Sequence, residues 1–127
     1  MKKTPTITAQ TISTEEYQAL VRSRWSEAQF TRAVIALAQR LGWKVLHVRP
    51  ARTARGWRTP VQGDGRGFLD LFLVHRGQGR CAVAELKVGR NRLTPSQTAW
   101  REDLHACGLE TYVWYPRDWA TIEKVLA

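Results

Sequence analysis

Sulfur and lysine are both scarce in this 127-residue chain: two cysteines, one methionine, and five lysines among twenty basic residues. Cys81 and Cys107 are too few for a disulfide framework or a four-ligand zinc site, and they read as buried thiols. No apolar run approaches the roughly 18 residues that a membrane helix needs. The opening Met1-Lys2-Lys3-Thr4-Pro5 lacks the apolar stretch of a signal peptide. Compositional bias is also missing. Hydrophobic residues at 43% and charged residues at 24% are ordinary for a globular protein and exclude general disorder. A chain of this length suits one core that buries about two-thirds of its extended surface.

Acid is the other scarcity. Eleven Asp and Glu against twenty Lys and Arg leave a net charge of +9, which points to a polyanionic partner. Fifteen of the twenty are arginine, whose planar fork grips phosphate bidentately and stacks on bases. Five of these, Arg49, Arg52, Arg55, Arg58 and Arg66, fall in an aperiodic stretch with one acid, Asp64, and with Trp57. The stretch reads as a nucleic-acid clamp in which Trp57 stacks on a base, or else as a disordered basic loop or subunit-contact arm. Arg90 and Arg92 form a second basic connection.

Residues 1–25 read as a threonine-rich arm followed by a short helix that opens on the capping box Ser13-Thr14-Glu15-Glu16. Residues 26–127 read as the folded body. Phe30, Val34, Leu37 and Leu41 make the apolar stripe of a helix capped by Ser26 and closed by Gly42. Lys44–Val48, Phe68–Val74 and Arg80–Lys87 read as strands, the last two as a hairpin around Arg76-Gly77-Gln78-Gly79. Thr94-Pro95 opens another helix, with Trp100, Leu104 and Cys107 as its stripe. Glu110–Tyr115 reads as a fourth strand, and Pro116 starts a last helix. The order α-β-β-β-α-β-α predicts an α/β fold, a small mixed sheet flanked by helices.

Four polar residues stand where that pattern calls for apolar ones. Asp70 interrupts a buried strand, which is costly unless the carboxylate is paired or bound to a metal. Glu85 and Lys87, two apart on the next strand, share a face. In the hairpin Asp70 and Glu85 converge, and two carboxylates about 4 Å apart repel by about 4 kcal/mol at an effective dielectric near 20. A divalent cation would remove that cost, and hard oxygen ligands suit Mg²⁺ or Mn²⁺. Glu27 and Gln97 each project from the first turn of a helix toward the sheet. Structural readings stay open for each residue: an edge ion pair for Glu85 and Lys87, a solvent-facing bulge for Asp70, a favourable dipole partner for Glu27, and a capping-box side chain for Gln97.

The elements Gly67-Phe68-Leu69-Asp70-Leu71, Ala84-Glu85-Leu86-Lys87 and the helical Gln97 together resemble the PD-(D/E)XK nuclease core. Within that superfamily the chain is most similar to the virus-type replication-repair nuclease (VRR-NUC) domain. The resemblance runs from about Ser26 to the end of the chain and takes in Glu27 and the segment Trp114–Trp119. It departs at Leu69, where the family often has proline. It implies a restriction-endonuclease-like fold and metal-dependent hydrolysis of DNA phosphodiesters. Asp70, Glu85 and the backbone carbonyl of Leu86 would ligate Mg²⁺ or Mn²⁺, with Glu27 joining directly or through water. Lys87 would act on the attacking water, and Gln97 would orient the metal shell or substrate. Stand-alone members of the family are homodimers acting on branched DNA such as four-way junctions, so the resemblance also implies a homodimeric, Holliday-junction-resolvase-like enzyme. A non-catalytic basic nucleic-acid-binding module and a sequence-specific, restriction-like nuclease are the competing expectations. RNA as substrate stays open. The expected setting is the cytoplasm of a bacterium or of a phage-infected cell.

Overall fold

A computed structural model describes residues 11–48, 51–53, 56–58 and 63–127, with the backbone alone for the two short internal pieces. The elements are α1 (Thr14–Ser23), α2 (Glu27–Arg40), β1 (Lys44–His47), β2 (Ala51–Thr53), β3 (Gly56–Arg58), β4 (Leu71–His75), β5 (Arg80–Leu86), α3 (Pro95–Ala106), β6 (Glu110–Trp114), a 3₁₀ turn (Pro116–Asp118) and α4 (Trp119–Leu126). Among the described residues, no helix is long and apolar enough to cross a membrane.

Four strands form one mixed sheet in the order β1-β4-β5-β6. The pairs β1–β4 and β4–β5 are antiparallel, and β5–β6 is parallel across the α3 crossover. The expected α/β architecture is therefore present, with one addition: β2 and β3 make a separate two-stranded ribbon inside the basic stretch. That stretch has no apolar alternation to signal strands of three residues, and a backbone ribbon needs none.

Local chemistry sets the helix ends. Ser26 and Thr94 both open capping boxes, with Gln29 and Gln97 as the reciprocal partners. Gly42 closes α2 with φ +95°, donating to Gln39 O while Trp43 N donates to Ala38 O, the paired bonds of a Schellman motif. Gly108 closes α3 in the same way.

The core lies on one face of the sheet. Leu71, Leu73, Ala82, Ala84 and Leu86 pack there against Phe30, Val34, Leu37 and Ala38 of α2 and against Ile122 and Leu126 of α4. The Trp43 indole donates to Leu126 O at 2.9 Å and ties the end of α4 to this layer. Side chains alternate along β5, so Val83 and Glu85 face the other side, and α3 begins on that side. α3 carries no buried residue. Its Trp100 and Leu104 are half-buried and Cys107 is exposed, so the apolar stripe read from spacing is only partly covered. The cysteines are thus not the buried thiols expected: Cys81 is half-buried and Cys107 exposed.

Candidate active site

The hairpin register decides the site. Leu71 pairs with Ala84, which brings Asp70 level with Glu85 on the face away from the core. β4 begins at Leu71, not at Phe68, so Asp70 stands at the mouth of the strand and not within it. Val48 N donates to Asp70 O at 2.9 Å and extends the β1–β4 pairing to this point. The basic stretch therefore leaves the sheet at Val48 and returns beside Asp70, and its two roots are hydrogen-bonded to each other.

The two carboxylates clasp each other's strands. Glu85 Oε2 accepts from Asp70 N at 3.2 Å, and Asp70 Oδ2 accepts from Leu86 N at 3.0 Å. Glu85 is 1% exposed and makes its other contacts through Oε1. Gln97 Nε2 donates to that oxygen at 2.8 Å, and Lys87 Nζ lies 3.4 Å from it. Burial, and next the charge of Asp70, push the Glu85 carboxyl up to about 7, against the opposing pull of Lys87 and of the Asp70 amide. One ammonium does not offset the cost of burying this carboxylate beside a second one. Such a pair takes up either a proton or a cation.

Gln97 serves two roles that the sequence presents as rivals. Its Oε1 accepts from Thr94 N at 2.9 Å, closing the capping box, while its Nε2 holds Glu85. The two ends of one amide do both.

Glu27 is placed differently. It is exposed in the first turn of α2 and shares a cavity with Asp70, His47 and Val48. Among the described residues, no three His, Cys, Asp or Glu side chains converge on a single metal position, so Glu27 does not close a triad with Asp70 and Glu85. Two carboxylates nonetheless suit Mg²⁺, which keeps several waters and is bound by one or two carboxylates together with substrate phosphates.

Of the expected nucleic-acid contacts, Arg66, Arg90 and Arg92 are exposed. In the backbone register of the β2–β3 ribbon, Arg52 pairs with Trp57 and Arg58 with Ala51. Arg49 and Arg55 lie outside the described residues.

Two further side chains position these basic segments. The Trp100 indole donates to Asp64 O at 3.0 Å and to Arg66 O at 3.1 Å, and its ring meets Phe68 edge-on at 5.1 Å. Gly67 has φ +81°, and a Cβ there would run into the Ser96 side chain and lie 2.9 Å from the Ser96 backbone carbonyl carbon, so only glycine lets the chain pass so close to α3. Tyr115 Oη donates to Asn91 O at 2.6 Å, fixing the connection that carries Arg90 and Arg92, and the Arg117 guanidinium lies 4.1 Å over the Tyr115 ring. The spacing of Trp100, three residues after Gln97 on one helix face, was the sequence signal for the first of these. Nothing local marks the second.

Neither a curated protein nor a solved structure matches the chain. A family model describing the VRR-NUC domain matches residues 12–118. That span begins earlier than the motif resemblance at Ser26, taking in α1, and it stops short of α4. It contains Asp70 just before β4, Glu85 on β5, Lys87 just after β5 and Gln97 on α3. The chain belongs to the VRR-NUC domain family, a family of nuclease-type domains.

Proposed function

We propose that this protein is a Mg²⁺- or Mn²⁺-dependent endonuclease that hydrolyses DNA phosphodiesters, selects branched DNA and works as a homodimer. The observation that carries this reading is the meeting of Asp70, Glu85, Lys87 and Gln97 at the root of the arginine-rich stretch. Asp70 and Glu85 would hold the ion, with the Leu86 carbonyl as third protein donor and Glu27 reaching it through water. A bound divalent ion supplies a Lewis acid for the phosphate and makes water more acidic.

The protein's own groups do the rest. Gln97 holds Glu85 in one orientation, and the reciprocal clasp of Asp70 and Glu85 on each other's strands keeps the two carboxylates from swinging apart. Lys87 carries its ammonium into a site only 13% open to solvent on that side chain, where it offsets charge growing on the phosphate. Water oxygen, oriented by Lys87, bonds to phosphorus while its proton passes to solvent; the bond from phosphorus to the sugar oxygen breaks, and that oxygen takes a proton back from solvent. Arg66, Arg90 and Arg92, with the ribbon residues Arg52, Trp57 and Arg58 and with Arg49 and Arg55, contact the phosphates and bases around the cut. Two copies would offer one site to each of two strands, as symmetric junction cleavage requires.

The test sets a labelled four-way junction beside supercoiled plasmid, linear duplex and duplex RNA, each with Mg²⁺, Mn²⁺ or EDTA, and measures the mass of the protein–junction complex by light scattering. Metal-dependent cutting of the junction in preference to the linear duplex, by a dimer, is the expected result. Salt-sensitive binding without cutting in any metal would leave a non-catalytic binding module. Cutting of linear duplex at one sequence would point to a restriction-like enzyme.

A further inference from the structure

A cavity of about 590 Å³ opens between α2 and the end of β1, with Asp70 in its wall. Glu27, Ala28, Arg32 and Ile35 line it from α2, and Val48 closes it from the strand side. Its size argues against a cation pocket alone. An ion with six waters occupies roughly 180 Å³, taking about 30 Å³ per water. The space left over is on the scale of a small-molecule site. Its walls match a nucleotide in kind: Ala28, Ile35 and Val48 are apolar, Glu27 and Asp70 are acceptors, and Arg32 is a bidentate phosphate donor. Its position matches too. Asp70 belongs both to the cavity and to the carboxylate pair, and Val48, whose N–H donates to Asp70 O, lies in the cavity wall.

We propose that this cavity is a subsite for one unpaired nucleotide next to the scissile phosphate, with Arg32 gripping the phosphate that flanks it. The inference rests on the nuclease reading and sharpens it. A paired, stacked base cannot enter a concave pocket without leaving the helix, and that cost is least where pairing is already broken. Branch points are such places. Selectivity for branched DNA then comes from the price of extruding a base and needs no separate recognition domain.

The test uses wild-type protein in EDTA, so that DNA is bound and not cut. Four-way junctions carry 2-aminopurine at successive positions around the branch, and fluorescence is read beside anisotropy of an end label. A rise of threefold or more at one position is expected. Ala28→Phe, at an exposed helix position, should abolish that rise by filling the cavity mouth while anisotropy still reports binding. In Mn²⁺, Arg32→Ala should raise KM for the junction about tenfold with kcat nearly unchanged. Arg40→Ala, which removes the same charge from the same helix outside the cavity, should change neither. Bound junction with no responsive position, a response that survives Ala28→Phe, or equal effects of the Arg32 and Arg40 substitutions would each overturn the subsite. Failure of the nuclease reading looks different: wild-type protein would cut nothing in Mn²⁺, whatever the fluorescence does.

Discussion

Two acid–base pairs stand at opposite ends of β5, and they have opposite characters. At the start of the strand, Arg80 meets Glu110 through two bonds, Nη2 to Oε1 at 2.7 Å and Nε to Oε2 at 3.0 Å. Tyr112 Oη adds a third donor at 2.7 Å, and the guanidinium also holds Val125 O and lies 4.9 Å over Trp43. The Glu110 side chain keeps 31% of its surface in solvent. Its carboxyl is held below the ordinary carboxylate value, chiefly by the hydrogen bonds from Arg80. At the other end of the strand, Glu85 also has a cation and an amide donor, yet its carboxyl is driven up to about 7. The difference is burial, with a second carboxylate beside it. A charge partner alone does not make an ion pair stable; desolvation and the neighbours decide. The first pair ties β5 to β6 and to α4. The second is an unresolved conflict of charge, and that conflict suits it to hold a cation.

The largest expected effect lies at the conflicted end. Asp70→Asn, Glu85→Gln or Lys87→Ala should each cut metal-dependent cleavage about a thousandfold or more, judged by initial rates on supercoiled plasmid. The next effect is on stability, and its sign separates the two ends. Glu85 has a folded pKa above its unfolded value near 4.5, so its protonated form stabilises the metal-free fold below that pH. This stabilisation is lost as pH rises from about 4.5 through about 7. In EDTA the melting point of wild type should therefore fall as pH rises from about 4.5 through about 7, a slope that Glu85→Gln should lack, while Mn²⁺ should raise the melting point of wild type only. Glu110 is depressed, so its contribution is present above the unfolded value of 4.5 and is lost as pH falls below it. Arg80→Ala should cost about 1 kcal/mol at neutral pH, a difference that denaturant melts should show fading in acid.

The smallest effect falls on the anchor between the regions. Trp100→Phe keeps a ring against Phe68 and removes the indole donor to Asp64 and Arg66, for a loss of about 1 kcal/mol. Hydrogen exchange should quicken at residues 66–68, with cleavage falling less than tenfold. Unchanged exchange there would mean that the indole bonds do not hold the root of the basic stretch.

How much of this was legible in the sequence depends on whether a feature is periodic. The hairpin was readable because apolar residues crowd both of its strands around a glycine-rich turn, and its register alone brings Asp70 to Glu85. The Ser26 cap and the Thr94–Gln97 box were readable from short motifs, but the box read at Ser13–Glu16 forms only its Ser13 half, with Glu16 N donating to Ser13 Oγ. Gln97 was only half readable: cap and site role look exclusive in one dimension and are simultaneous in three. The β2–β3 ribbon left no signal, because backbone pairing over three residues asks nothing of the side chains. Glu27 was placed correctly on its helix, but a first-turn side chain is free to turn outward, and spacing does not say how far it reaches. The stripe on α3 was over-read. Trp100 sits on the face that spacing predicts, yet part of its role is to donate a hydrogen bond to a loop, and Cys107 falls at the helix end, where nothing covers it.

The most direct measurement is nicking of supercoiled plasmid in Mn²⁺ and in EDTA by wild type, Glu85→Gln and Glu110→Gln, with the melting point of each protein taken under the same conditions. Wild type and Glu110→Gln should nick within about threefold of each other, and only with metal. Glu85→Gln should be inert in either condition while still melting cooperatively in EDTA. Activity that survives in Glu85→Gln, or that falls in both variants in step with their melting points, would contradict the assignment of the Asp70–Glu85–Lys87 cluster as a metal-dependent nuclease site.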